Sequence, residues 1–222
     1  MMQALTVEQL QQALIQASQV IIANEPLLTQ IDSIIGDGDH GTGMRDGFSV
    51  LQETLKTTKY PDIFALMRDA GIALVKTMGG ASGVIFGTMF IAGHEGVRDR
   101  TQMDARELVE FFRAGAASIA KRGRTSPGDK TMLDALLPAV DAMEQACAQT
   151  QDVVQVLAAA YQGALDGVEA TKNMLSRKGR SKNFREKTLG IPDPGAVSVS
   201  LIFKGMYDSC LLYTSDAADD KA

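Results

Sequence analysis

The sequence predicts an all-α protein, built as one antiparallel bundle of eight helices. Three observations carry that reading. Ala, Leu and Met are plentiful, while Trp is absent and aromatics make up only 5%; that balance favours helices, since sheets draw on aromatic and β-branched residues. Apolar residues recur at helical spacing through most of the chain. The stretches between these periodic runs are mostly short, as antiparallel helical neighbours require.

The first helix is expected to start at Thr6, with Gln9 as its capping-box partner. Leu10, Ala13, Leu14, Ala17, Val20 and Ile21 fall on one of its faces. A further helical piece runs from Pro26 towards Ile35 and breaks in the Gly36-to-Gly43 stretch. Met44, Phe48, Leu51 and Leu55 mark a second helix. Pro61 opens a third, which carries Ile63, Phe64, Met67, Leu74 and Val75 and stops at Gly79 and Gly80. A fourth, more apolar helix starts near Ser82. Asp104 and Glu107 begin a fifth that ends at Gly123. A sixth covers Lys130 to Gln149, and a seventh runs from Asp152 to Leu175. After a long basic loop, Pro194 starts an eighth, although Val197, Val199 and Leu201 alternate as a strand would. No repeat or dividing linker is visible, so residues 1–208 read as one domain. From Cys210 no helical face continues from Met206, and residues 209–222 resemble a translated sequencing adapter; they are expected to be a non-native tail.

The net charge of −5 offers no basic excess for nucleic acid or an anionic membrane. No stretch approaches the roughly 18 uninterrupted apolar residues of a membrane span. No basic segment with an apolar signal core opens the chain, and two cysteines are too few for a disulfide framework, so a cytoplasmic location is expected.

The densest chemical signal is Asp32-Ser33-Ile34-Ile35-Gly36-Asp37-Gly38-Asp39-His40-Gly41. Three carboxylates fall within eight residues, and the glycines let the backbone turn sharply. Aspartate is short, so Asp32, Asp37 and Asp39 can converge on one hard cation, and oxygen ligands suit Mg²⁺. An EF-hand loop begun at Asp37 would need Glu where Phe48 stands. The bland alternative is a solvated Asp-Gly turn. His40 can hydrogen-bond a phosphate or simply pack at a helix start.

Three more segments carry weaker signals. Gly79-Gly80-Ala81-Ser82-Gly83 lets a phosphate reach backbone N–H groups at a helix start, or serves close helix packing. Gly123 to Met132 nearly imitates a Walker A loop, but Asp129 intrudes and no strand precedes it, which excludes a P-loop. A Pro-Gly turn with Lys130 or Thr131 near an anion remains. The basic run Arg177 to Lys187 reads mostly as solvated surface; Arg180, beside Gly179, is the member placed for close approach.

Taken in order, Gly-Asp-Gly-Asp-His-Gly, Gly-Gly-Ala-Ser-Gly, Pro-Gly-Asp-Lys-Thr-Met, Arg-Lys-Gly-Arg and Asp-Pro-Gly-Ala resemble the nucleotide-binding L subunit of the dihydroxyacetone kinase family. The resemblance reaches from the first helix to about Met206. It implies an eight-helix antiparallel barrel with the nucleotide site at one end. It implies that Asp32, Asp37 and Asp39 hold two Mg²⁺ ions against the phosphates of ATP or ADP. His40, Gly41, Thr42 and Gly43 match the segment beside those phosphates, and Ala81 and Ser82 match contacts at a helix start. Gly123 and Met132 match the pocket lining, while Arg180, Asp193, Pro194 and Gly195 match segments that close over it. A separate K subunit would hold the short ketose and handle its proton, so no general base is required on this chain. Some relatives act on erythrulose; others keep ADP bound and recharge it from a phosphotransferase-system phosphoprotein. The resemblance also admits a homodimer.

Many family members carry Ala-Ser-Tyr-Leu-Gly-Glu-Arg-Ser where this chain has Ser181 to Thr188, which bears on lid contacts beyond Arg180 and on the acceptor. Two rival readings stand beside this one. The nucleotide domain of fatty acid kinases shares the barrel, but typically has Thr where His40 stands and continues into further domains. A non-catalytic sensor of nucleotide state would use the same aspartates.

Overall fold

Helix starts in the computed structural model, which describes residues 1–219, are fixed by short polar side chains. Thr6 accepts from the backbone N–H of Gln9, and the Gln9 side chain accepts from that of Thr6. This is the expected capping box, and it opens α1 (Val7–Ala23). Asp104 and Glu107 form the same reciprocal pair at the start of α6 (Ala105–Gly123). Asp62, rather than Pro61, caps α4 (Ile63–Thr77) by accepting from Ala65. The remaining helices are α2 (Glu25–Ile35), α3 (His40–Thr57), α5 (Gly80–Ala92), α7 (Leu133–Cys147), α8 (Val153–Thr171) and α9 (Pro194–Asp219).

Nine α-helices are therefore present among the described residues, because the piece expected from Pro26 is a helix in its own right. Eight of them close a ring: α1, α3, α4, α5, α6, α7, α8 and α9 each pack on the next, and α9 returns to α1. The Gln11 side chain donates to the carbonyls of Leu55 and Thr58, which sets the start of α1 beside the end of α3. The neighbours thus run antiparallel. α2 stands outside the ring and packs on α3 at one end.

The apolar faces read from the sequence mostly point inward, although Val75 near the end of α4 is exposed. Leu10, Ala13, Leu14, Ala17 and Ile21 of α1 are all buried, as are Met44, Phe48, Leu51 and Leu55 of α3. The alternation of Val197, Val199 and Leu201 does not make a strand. α9 packs against α1, α7 and α8, so Ala196 through Ser200 are buried consecutively. The hydroxyls of Ser198 and Ser200 donate to backbone carbonyls of Pro194 and Val197, which satisfies them without water. α9 also continues past Met206 through the buried Cys210 to Asp219, where the sequence offered no continuing face. Residues 220–222 of the segment read as an adapter-like tail lie outside the described residues.

Two differences lie at element ends. α7 starts at Leu133 rather than Lys130, because Lys130 adopts a left-handed backbone at φ 61°. α8 ends at Thr171 rather than Leu175, where Lys172, Asn173 and Met174 form tight turns to Glu169, Ala170 and Thr171. A further feature was not anticipated. β1 (Ala4–Thr6) pairs antiparallel with β2 (Gln102–Asp104), Leu5 opposite Met103, and ties the starts of α1 and α6. No helix among the described residues is long and apolar enough to cross a membrane.

Candidate functional site

The up-and-down ring brings the first turns of α3, α5, α7 and α9 to the same end. All four contribute to a cleft of about 530 Å³, through Thr42, Ala81, Met132 and Pro194 among others. Each helix start presents N–H groups without intrahelical partners and the positive end of a macrodipole. Four converging starts make this end attractive to anions. The carboxylates on the same rim call for a cation between them and any anion.

Asp32 sits in the last turn of α2, and Asp37 and Asp39 follow in the loop to α3. One carboxylate oxygen from each lies within 4.8 Å of the others. The loop is shaped for this approach. A Cβ at Gly36 would collide with Asp32 Oδ1, and Gly38 adopts φ 77°, a conformation that glycine takes without steric cost. The other Asp32 oxygen accepts from the backbone N–H of His40 at 3.1 Å, which anchors the start of α3. Arg180 reaches into the cluster from the opposite side. Its Nη1 contacts the Asp37 carboxylate, and its Nη2 lies 3.7 Å from Asp39 Oδ2.

His40 lines the cleft and is held from behind. Its Nε2 lies 2.9 Å from Ser198 Oγ, and that hydroxyl donates to Pro194 O at 3.0 Å. That hydroxyl bridges the ring and the Pro194 carbonyl. Burial lowers the His40 pKa, against the opposing charge of Asp32 and a hydrogen bond with the Pro194 backbone. The ring packs near Phe86, with centroids 6.2 Å apart, and borders the cleft.

The Gly79–Gly83 segment divides in the same way. Gly79 and Gly80 border the cleft with open space where a Cβ would stand, whereas Gly83 lies against the Met78 carbonyl and serves packing. At the third segment, Met132 lines the cleft, but Gly123 does not. A Cβ there would lie 3.6 Å from Cδ1 of Ile85, which does line the cleft. Gly41 is also off the wall; it lies against Thr29, where α2 and α3 meet. Thr42, Gly43, Ala81, Ser82, Arg180, Asp193, Pro194 and Gly195 all border the cleft. The run from Lys182 to Lys187 stays largely exposed, as a solvated charge run would.

Asp193 caps α9 by accepting from Ala196 at 2.8 Å, with Pro194 in the first turn. Burial pushes its pKa up to about 7; the Ala196 hydrogen bond opposes the rise, and the charge of Asp134 adds to it. Asp134 was not singled out from the sequence. It accepts from Gly128 and Thr131 and holds the turn before α7. Ser198 was missed as well, since nothing in a buried helix marks one serine as the partner of a distant histidine.

Known proteins resemble this chain in both sequence and structure. Residues 34–208 match the family described as "DAK2 domain". The chain is 38% identical over 177 residues to the "PEP-dependent dihydroxyacetone kinase, ADP-binding subunit DhaL" of Escherichia coli, covering 80% of this chain and 84% of that protein. It is 34% identical to an L-erythrulose kinase of Pectobacterium atrosepticum, over 86% of this chain but 32% of the other. The crystal structure of the dihydroxyacetone kinase from C. freundii in complex with AMP-PNP and Mg²⁺ superimposes with a TM-score of 0.69 at 27% identity, covering 89% of this chain and 33% of that one. The chain thus spans about a third of the length of these two larger kinases. A match over most of its residues, together with a close relative covered nearly end to end, settles its kinship: this chain belongs to the DAK2 domain family.

Proposed function

We propose that this chain is the nucleotide-binding subunit of a kinase that phosphorylates dihydroxyacetone or a related short ketose. The observation that carries the reading is the meeting of three aspartates within 4.8 Å of one another at the end where four helices start. Hard oxygen donors on short side chains fit Mg²⁺, and Asp32, Asp37 and Asp39 would hold it, as two ions shared with the phosphates of ADP or ATP. Mg²⁺ bound there would neutralise charge on the transferred phosphoryl group and fix its orientation. The chain's own residues do the rest. Thr42, Ala81 and Ser82 offer the phosphates N–H groups at helix starts and Ser82 a hydroxyl, Gly43 leaves open space beside them, and His40, held by Ser198, orients a neighbouring oxygen. Arg180, on an exposed segment over the acidic loop, supplies a guanidinium for the terminal phosphate.

The ketose and its proton acceptor are assigned to a separate K subunit. Relatives named as PEP-dependent, and one from Lactococcus lactis named as PTS-dependent, support ADP recharged by a phosphotransferase-system phosphoprotein.

The test is a thermal unfolding scan with ADP, in Mg²⁺ and again in EDTA. Ligand at 100 times its dissociation constant stabilises by about 2.7 kcal/mol. For a chain this size the midpoint should rise by about 5 to 10 °C. A rise in Mg²⁺ that EDTA abolishes is expected; equal midpoints in both buffers would overturn the site assignment. Transfer of phosphate to dihydroxyacetone in the presence of a K subunit then separates a kinase subunit from a sensor that binds ADP and transfers nothing.

A further inference from the structure

Lys130 stands in the turn that nearly imitates a phosphate loop and borders the cleft, yet its ammonium is bound by backbone carbonyls. The residue is 1% exposed, and its backbone is left-handed at φ 61°. A lysine holds that conformation only where its surroundings over-determine it. Its Nζ donates to Met174 O at 3.2 Å, to Ile191 O at 2.6 Å and to Thr188 O. An ammonium has three N–H donors, and all three are committed to carbonyls. None remains for an anion in the cleft. Burial lowers the lysine's pKa, while the nearby charge of Asp193 raises it.

The three acceptors belong to the two ends of one segment. Met174 lies at its start, Thr188 and Ile191 at its finish, and Arg180 between them. Other bonds bring the same ends together: Ser176 N–H to Thr188 Oγ1 at 3.2 Å, and Gly190 N–H to Lys172 O at 2.8 Å. Arg177 N–H donates to Asp129 O at 3.0 Å, which ties the segment to the turn that carries Lys130. The span from Lys182 to Lys187 has mostly exposed side chains, and residues 181–188 also meet α2, while Ser176 and Ser181 pair through their hydroxyls and the Lys178 ammonium donates to Arg124 O.

We infer that Lys130 is a positioning residue for the nucleotide site: its ammonium clips both ends of segment 174–191 together and thereby holds Arg180 over Asp37 and Asp39. The inference rests on the nucleotide-binding reading given above. It differs from a phosphate-contacting role for Lys130, in which the lysine and Arg180 would act independently. It differs also from a purely structural staple, whose loss would lower stability without acting through Arg180.

The experiment is a double-mutant cycle on ADP affinity by calorimetry in Mg²⁺, using wild type, Lys130→Met, Arg180→Ala and the double variant, with tryptic cleavage within 177–187 as a second readout. Arg180→Ala should weaken ADP binding about tenfold, the value of one charge-assisted bond. Lys130→Met should weaken it to a similar extent in the wild-type background and by less than about twofold when Arg180 is already gone. Cleavage after Lys178, Arg180 or Arg185 should quicken by about tenfold, as expected when a local segment opens at lower cost. Lys130→Gln, a shorter neutral donor, should fall between wild type and the methionine variant on both scales, and it decides the matter if the methionine variant does not fold. Additive losses of affinity, or an unchanged cleavage rate in a folded variant, would overturn the inference. If wild type binds no ADP, the functional reading fails first, and the cleavage rate alone still decides whether Lys130 clips the segment.

Discussion

Arg180 and Asp37 form the contact most exposed to what enters the cleft. Without ligand, the guanidinium sits against the carboxylate that a cation would need, so Arg180 and a free divalent ion compete for one charge. With nucleotide present they cooperate, since phosphate oxygens can hold both. Arg180→Ala should therefore bind Mn²⁺ alone about two- to fivefold more tightly, the range for loss of an exposed ion pair. The same variant should bind ADP with Mg²⁺ more weakly. That reversal of sign is readable from Mn²⁺ titrations by electron paramagnetic resonance beside calorimetry with ADP; loss of affinity in both would mean that Arg180 never opposed the cation. Asp37→Asn tests the other partner. Removal of one charged ligand should cost at least about tenfold in Mg²⁺-dependent ADP affinity, the scale on which even supporting residues of metal sites act. Equal affinity for the variant would remove Asp37 from the ligand set.

At the scale of elements, the two ends of the ring have separate duties. The capping boxes of α1 and α6 and the β1–β2 pair lie at the end away from the cleft. Asp104→Ala should cost about 1 kcal/mol of stability through the lost cap, a fall of about 2 to 4 °C in midpoint, while ADP affinity stays within error. A change in affinity would show that strain crosses the ring. These caps were legible in the sequence because their partners stand three residues apart, and the helices because their apolar faces repeat every turn. The acidic loop was legible for the same reason, since Asp32, Asp37 and Asp39 are near neighbours in the chain. What was not legible depends on distance. The partners of Lys130 are 44, 58 and 61 residues away, and that of His40 is 158 away. β1 and β2 are three residues each, too short for alternation to show. The Gly79–Gly83 run held two readings at once, because single glycines within it took different duties.

The whole molecule gathers Asp32, Asp134 and Asp193 at the end where α3, α5, α7 and α9 start, and its stability must register that concentration. Asp193 is buried there, with Asp134 and Asp32 adding to its burden and Lys130 relieving it. Its pKa stands near 7 in the folded chain against an ordinary value of 3.8. Between those two values the folded chain holds a proton that the unfolded chain has released. Stability therefore falls as pH rises through this window, by up to about 1.4 kcal/mol per unit. It levels off above pH 7, where both states are ionised. This is opposite in sign to a salt-bridged aspartate, whose stabilisation is lost on acidification. An asparagine in place of Asp193 would keep an oxygen for the Ala196 N–H and lose the titration. In urea unfolding of the ligand-free chain with EDTA, the stability of Asp193→Asn relative to wild type should increase by about 2 kcal/mol from pH 5.5 to pH 8. Parallel stability curves would mean that Asp193 stays ionised across the range, with its charge balanced within the fold by Lys130.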